Sequence, residues 1–179
     1  MAVTREAVTI EDVEGAARRI RGKVRETPLL AAGELSRRVG ARVVLKAENL
    51  QLTGSFKSRG ATNMIGQLSA EALECGVVAA SAGNHAQAVA FAARDAGARA
   101  LLVMPAQAPL AKIAAVRQYG GDVRFVEGGF GPLPEMVDAR GVAELLPQCR
   151  GHRVGNRRQH RRGRVVVEID ALHGNGIHP

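Results

Sequence analysis

Apolar residues recur at helical spacing at Ile10, Val13, Ala17 and Ile20, and Thr9 stands three residues before Asp12 as a capping pair. A helix is therefore predicted to start just after Thr9. The proline in Thr27-Pro28-Leu29-Leu30 disfavours a helical residue before it, which predicts an extended connector. A short helix over Glu34–Val39, closed by Gly40, leads to a strand over Arg42–Lys46, which is rich in β-branched residues. The pattern then repeats: a helix over Ser58–Leu68, a buried strand over Gly76–Ala80, a helix over Ala86–Ala96 ended by Gly97, and a strand over Arg99–Met104. Pro109 opens a further helix reaching Tyr119, Gly120-Gly121 closes it, and Asp122–Val126 is another strand. Strands separated by helices of this length predict an α/β fold, a parallel sheet covered by helices.

From Gly128 both periods fail. Gly128-Gly129-Phe130-Gly131-Pro132-Leu133-Pro134 interrupts any element, residues 150–164 follow neither period, and only Arg164–Ile169 reads as a further strand. The last residues, Gly174 to Pro179, are turn formers. The expected division is a region 1–127 and a divergent, Gly- and Arg-rich tail 128–179. The break in composition carries the expectation that the tail comes from a truncated or shifted reading frame. Apolar surface would then lie open where further chain belongs.

The 179 residues suffice for one domain or two small ones with a real core. No run approaches the ~18–20 apolar residues that span a bilayer, so no membrane partner is expected. The start, Met1-Ala2-Val3-Thr4-Arg5-Glu6, lacks a basic-then-apolar leader, and a cytoplasmic location is expected. Cys75 and Cys149 stand in no metal or redox spacing, so no metal is expected. The net charge of +8 divides into +5 up to Gly129 (17 basic, 12 acidic) and +3 beyond it (8 arginines, 5 acids). Arg150 to Arg164 holds most of the tail's arginine and no acid, which suits non-specific phosphate contact. It holds no aromatic ring for base stacking, so a specific nucleic-acid partner is not expected.

Two segments carry candidate chemistry. Lysine is scarce, occurring only at 23, 46, 57 and 112. Lys57 sits in Thr53-Gly54-Ser55-Phe56-Lys57-Ser58-Arg59-Gly60. A lysine near a cation and partly withdrawn from water is nucleophilic enough to form a Schiff base with an aldehyde; an ordinary solvated lysine at a helix start is the plainer reading. The second segment, Ser81-Ala82-Gly83-Asn84-His85-Ala86-Gln87, joins a predicted strand to a predicted helix. Ligands bind outside the carboxyl ends of parallel strands, and a helix N-terminus there offers free N–H groups to a carboxylate. A structural capping turn fits these residues equally well.

Together the two segments resemble the threonine/serine dehydratases, fold-type-II enzymes dependent on pyridoxal 5'-phosphate (PLP). Thr27-Pro28-Leu29, Lys46-Ala47-Glu48-Asn49-Leu50-Gln51, and Val103-Met104-Pro105 followed by Ala108-Pro109 and Lys112 add to the likeness, which runs from about Ile10 to Glu127. The resemblance implies the N-terminal half of that fold. It implies that Lys57 holds PLP and takes the Cα proton, that Phe56 packs beside the cofactor, and that Asn84 bonds its ring hydroxyl. Ser81, Ala82, Gly83, Asn84 and His85 would grip the substrate carboxylate. Threonine or serine would lose its β-hydroxyl, giving 2-oxobutanoate or pyruvate and ammonia. The intact family form is expected to be a homo-oligomer.

Departures narrow the reading. Ser58 stands where threonine synthases carry aspartate, and Ala82 stands where serine racemase-like members carry a serine that handles a proton. Elimination is thus expected rather than racemisation. His85 is expected to shape the loop more than to act as a base. Arg59 either repels the charge on Lys57 or pairs with an acid on its helix, and pairing is expected. The family's later glycine run for the phosphate, and its serine at the pyridine nitrogen, are not found. A catalytically inactive fragment, and non-specific nucleic-acid binding by the Arg150–Arg164 run, remain the competing expectations.

Overall fold

The computed structural model describes residues 7–127 and the strand 166–169. Helix α1 (Ile10–Ile20) opens with a full capping box, Thr9 and Asp12 each bonding the other's backbone. That bonding by Thr9 holds the Asp12 carboxyl below its ordinary range. Strand β1 (Leu29–Ala31), α2 (Gly33–Val39) and β2 (Val44–Lys46) follow, then a 3-10 turn (Glu48–Leu50). Strands β1 and β2 pair antiparallel, with Leu30 opposite Leu45. The stretch expected to be a bare connector is therefore an edge of a small second sheet. Pro28 shaped its start, and hydrogen bonds to β2 completed it.

The main sheet contains β3 (Val77–Ala80), β4 (Ala100–Pro105), β5 (Asp122–Val126) and β6 (Val166–Ile169), in the order β5-β4-β3-β6, all parallel. Every residue of β3 is buried, as a central parallel strand requires. The strand expected near Arg164–Ile169 takes its place beside β3, with Val166 level with Val77. The rest of the 128–179 tail, including the Arg150–Arg164 run, lies outside the described residues.

Helices α3 (Lys57–Ile65), α4 (Ala70–Cys75), α5 (Asn84–Asp95) and α6 (Leu110–Gln118) connect and cover these strands. Residues 69–76 carried no helix in the sequence reading, although Ser69 caps α4 by accepting from the Ala72 amide at 3.3 Å. The alanines of α5 form much of the core together with Val77, Leu102, Met104, Ile113 and Val116. Small side chains let α5 approach both α3 and the sheet closely. Gly121 marks one such close approach: a Cβ there would lie 2.8–2.9 Å from Leu102 Cδ2, Ala90 Cβ and Val116 Cγ1.

Candidate active site

Lys57 is the first residue of α3 and Asn84 the first of α5, and these two helices pack on each other. The helix containing Lys57 therefore starts one residue earlier than its expected start at Ser58, and the one containing Asn84 two residues before Ala86. Both candidate side chains sit on first helical turns rather than in loops.

Lys57 is half-buried, with its Nζ 5.7 Å from the centroid of the Phe56 ring. That ring is 60% exposed, a broad apolar face beside the amine. Ser58 is fully buried and donates its hydroxyl to Ser55 O at 3.2 Å, so the residue after the lysine has a packing task. The approach to Lys57 passes Gly54 at φ +70°, a left-handed conformation that favours glycine. On either side of it, the buried hydroxyls of Thr53 and Ser55 have no hydrogen-bond partner among the described residues.

The second segment leaves the carboxyl end of β3. Ser81 is buried, donates its amide to Val103 O at 3.1 Å, and accepts from the Gly83 amide through its Oγ at 3.2 Å. Ala82 and Gly83 are half-buried, Asn84 is exposed and His85 is buried. The burial of His85 suits the loop-shaping expectation better than a base reaching into solvent. Among the described residues no atom lies within 4 Å of the position of a Cβ on Gly83, which leaves open space before the N-terminus of α5. Lys112 of α6 donates Nζ to Asn84 Oδ1 at 2.6 Å.

Arg59 pairs with an acid, as expected, but the acid is not on its own helix. Its Nε and Nη2 bond Glu48 Oε2 and Oε1 at 2.9 and 2.7 Å, a two-point pair with side chains only 29% and 16% exposed. The Arg59 guanidinium holds the Glu48 carboxyl down at about 2, helped by the Thr27 hydroxyl, and Glu48 in turn raises Arg59. Glu48, Gln51 and Lys112 were visible only as parts of the family likeness. A charge count had a hint for Glu48, the one acid between Glu34 and Glu71.

These residues fit the reacting end of PLP. A half-buried lysine follows two hydroxyls that are buried without partners among the described residues, and an open glycine turn stands at the N-terminus of a neighbouring helix. No group of three or more His, Cys, Asp or Glu side chains among the described residues could hold a metal, and no helix among them is long and apolar enough to cross a membrane.

Known proteins share the sequence pattern and the fold of this chain. The pyridoxal-phosphate dependent enzyme family matches residues 20–156, past the point at Glu127 where the motifs end. The chain belongs to that family, whose cofactor is PLP. It is 51% identical to the L-threonine ammonia-lyase of Thermotoga maritima over 121 residues, which make up 68% of this chain and 30% of that protein. It is 47% identical to the L-threo-3-hydroxyaspartate ammonia-lyase of a Pseudomonas species over 116 residues, 65% of this chain and 36% of the other. The structure of maize serine racemase superposes with a TM-score of 0.72 at 36% identity, covering 79% of this chain and 43% of that one. The chain thus spans about a third of the length of the curated relatives it matches.

Proposed function

We propose that these residues form the lysine-bearing part of a PLP-dependent ammonia-lyase acting on threonine or serine. The observation that carries the reading is Lys57 on the first turn of α3, packed against α5, whose N-terminus presents the Ser81–Asn84 turn, in a chain 51% identical to an L-threonine ammonia-lyase. Bound PLP supplies an electron sink for negative charge on the carbon beside the substrate carboxylate. Lys57 would hold the cofactor and would take the Cα proton of the substrate. The amides at the start of α5 receive the carboxylate, with Ser81, Ala82, Gly83, Asn84 and His85 shaping that pocket. Asn84 would offer its NH2 to the cofactor, and Phe56 would lend it an apolar face. Loss of the β-hydroxyl and hydrolysis then give 2-oxobutanoate or pyruvate and ammonia. Ala82 carries no proton to deliver to the opposite face, which favours elimination over the racemase activity in the name of the maize relative.

The short span of the match favours one second reading, an inactive fragment of the family. One experiment separates them. PLP is added and its visible absorbance compared with that of Lys57→Ala, and keto-acid release is then assayed from threonine and from serine. A Lys57-dependent absorbance with keto-acid release supports the lyase. Absorbance without release supports the fragment, and equal spectra for both proteins refute the assignment of Lys57. The intact form is further proposed to be a cytoplasmic homo-oligomer.

A further inference from the structure

The ion pair at Arg59 ties three distant segments together. Besides Glu48, Arg59 Nη2 donates to Thr27 Oγ1 and to Arg25 O, both at 3.2 Å. The Thr27 hydroxyl donates to Glu48 as well, and Lys46 donates to Thr27 O. Gln51 closes the set: its Oε1 accepts from the Arg25 and Leu52 amides at 2.8 and 2.9 Å, and its Nε2 donates to Arg25 O at 2.8 Å. From the opposite side, Tyr119 donates its hydroxyl to Leu52 O at 3.0 Å. Between these clamps and Lys57 run only Thr53-Gly54-Ser55-Phe56, where two buried hydroxyls have no partner among the described residues. The approach loop is therefore held at its ends, and the end nearer the amine is Arg59.

We propose that Glu48 is a positioning residue for Lys57. Through its two-point pair with Arg59 it fixes the first turn of α3, and it compensates a cation that lies two residues from the reactive amine. A carboxylate so placed is well suited to the task, because the planar guanidinium fork fixes direction as well as distance. This inference rests on Lys57 being the cofactor lysine.

The test uses the cofactor-free full chain. Trace acetylation, read by mass spectrometry, reports separately on Lys23, Lys46, Lys57 and Lys112. Lys46 belongs to the brace, so Lys23 and Lys112 serve as references. Glu48→Gln keeps the shape and removes the charge; Arg59→Ala removes the brace and the cation together. The expected result is a several-fold rise in Lys57 labelling relative to both references in each variant, with helical circular dichroism retained. An unchanged ratio in either folded variant overturns the proposal. So does a rise in Glu48→Gln alone, which would mean a charge effect without positioning, or an equal rise at all three lysines, which would mean general loosening. Should either variant fail to fold, Arg59→Lys, which keeps the charge and loses the fork, decides by the same ratio. PLP takes no part in this measurement, so its failure and the failure of the spectral test on Lys57→Ala are distinguishable.

Discussion

Lys112 Nζ and Asn84 Oδ1 lie 2.6 Å apart, so the ammonium of α6 holds the carbonyl end of an amide that opens α5. An ammonium can only donate, so it fixes which end of the amide faces it and leaves the NH2 for another acceptor. The pair therefore orients Asn84 as a donor, the polarity a cofactor ring oxygen needs. Lys112→Met is expected to shift the Asn84 side-chain NH2 signals in nuclear magnetic resonance spectra of the cofactor-free chain. It should also weaken PLP binding by about 1 kcal/mol, roughly fivefold. Combined with Asn84→Ala it should add nothing further. Full additivity in a PLP titration would show that the two residues act separately.

Acid should weaken the fold through Glu48. Its folded value, about 2, lies below the ordinary 4.5, so its stabilisation is complete above 4.5 and is lost as pH falls through 2. The loss is at most about 3 kcal/mol. Urea midpoints at a series of pH values from neutral to strongly acidic should fall over that window, and the fall should be shallower in Glu48→Gln. Parallel curves for the two proteins would remove Glu48 as the source.

Two glycines should respond to alanine in opposite directions. Gly121→Ala drives a methyl into Leu102, Ala90 and Val116, and should cost about 1–3 kcal/mol by overpacking. Gly60 lies inside α3, is exposed and has no atom within 4 Å of a Cβ position. Gly60→Ala should stabilise by about 0.5–1 kcal/mol through lower backbone entropy in the unfolded chain. Urea denaturation of both variants checks the pair, and a destabilised Gly60→Ala would contradict the open space seen around it.

Gly76 gives a sharper case of backbone demand. It closes α4 at φ +92°, and a Cβ there would lie 2.8 Å from Arg99 O, the carbonyl that accepts the first amide of β3. Gly76→Ala should therefore cost more than Gly121→Ala, because strain and a backbone clash add. A thermal melt ranking the two variants tests this order, and an equal shift would place the cost in packing alone.

Periodicity and end signals made most elements legible. The capping pair Thr9/Asp12, Gly97 after α5 and the β-branched runs each act within a few residues, so local physics decides them without knowledge of the rest. Strand β1 was read only as extended, because its partner Val44–Lys46 lies beyond a helix and no local signal names it. Helix α4 is six residues long, too short for its apolar period to register, and only Ser69 announced it.

The site divides the same way. Residue types alone left Lys57 and the Ser81–His85 turn each open to a plain structural reading, and the family resemblance that the two segments carry together implied their chemistry. Which charge answers Arg59, which side chain holds the amide of Asn84, and which hydroxyls stay buried without partners depend on segments brought together across the fold. Glu48 meets Arg59 over 11 residues, and Lys112 meets Asn84 over 28. Sequence alone determined the class of chemistry; tertiary structure decided which neighbours hold the lysine and the amide in place, because hydrogen bonds and ion pairs act over a few ångströms in space, whatever the separation along the chain.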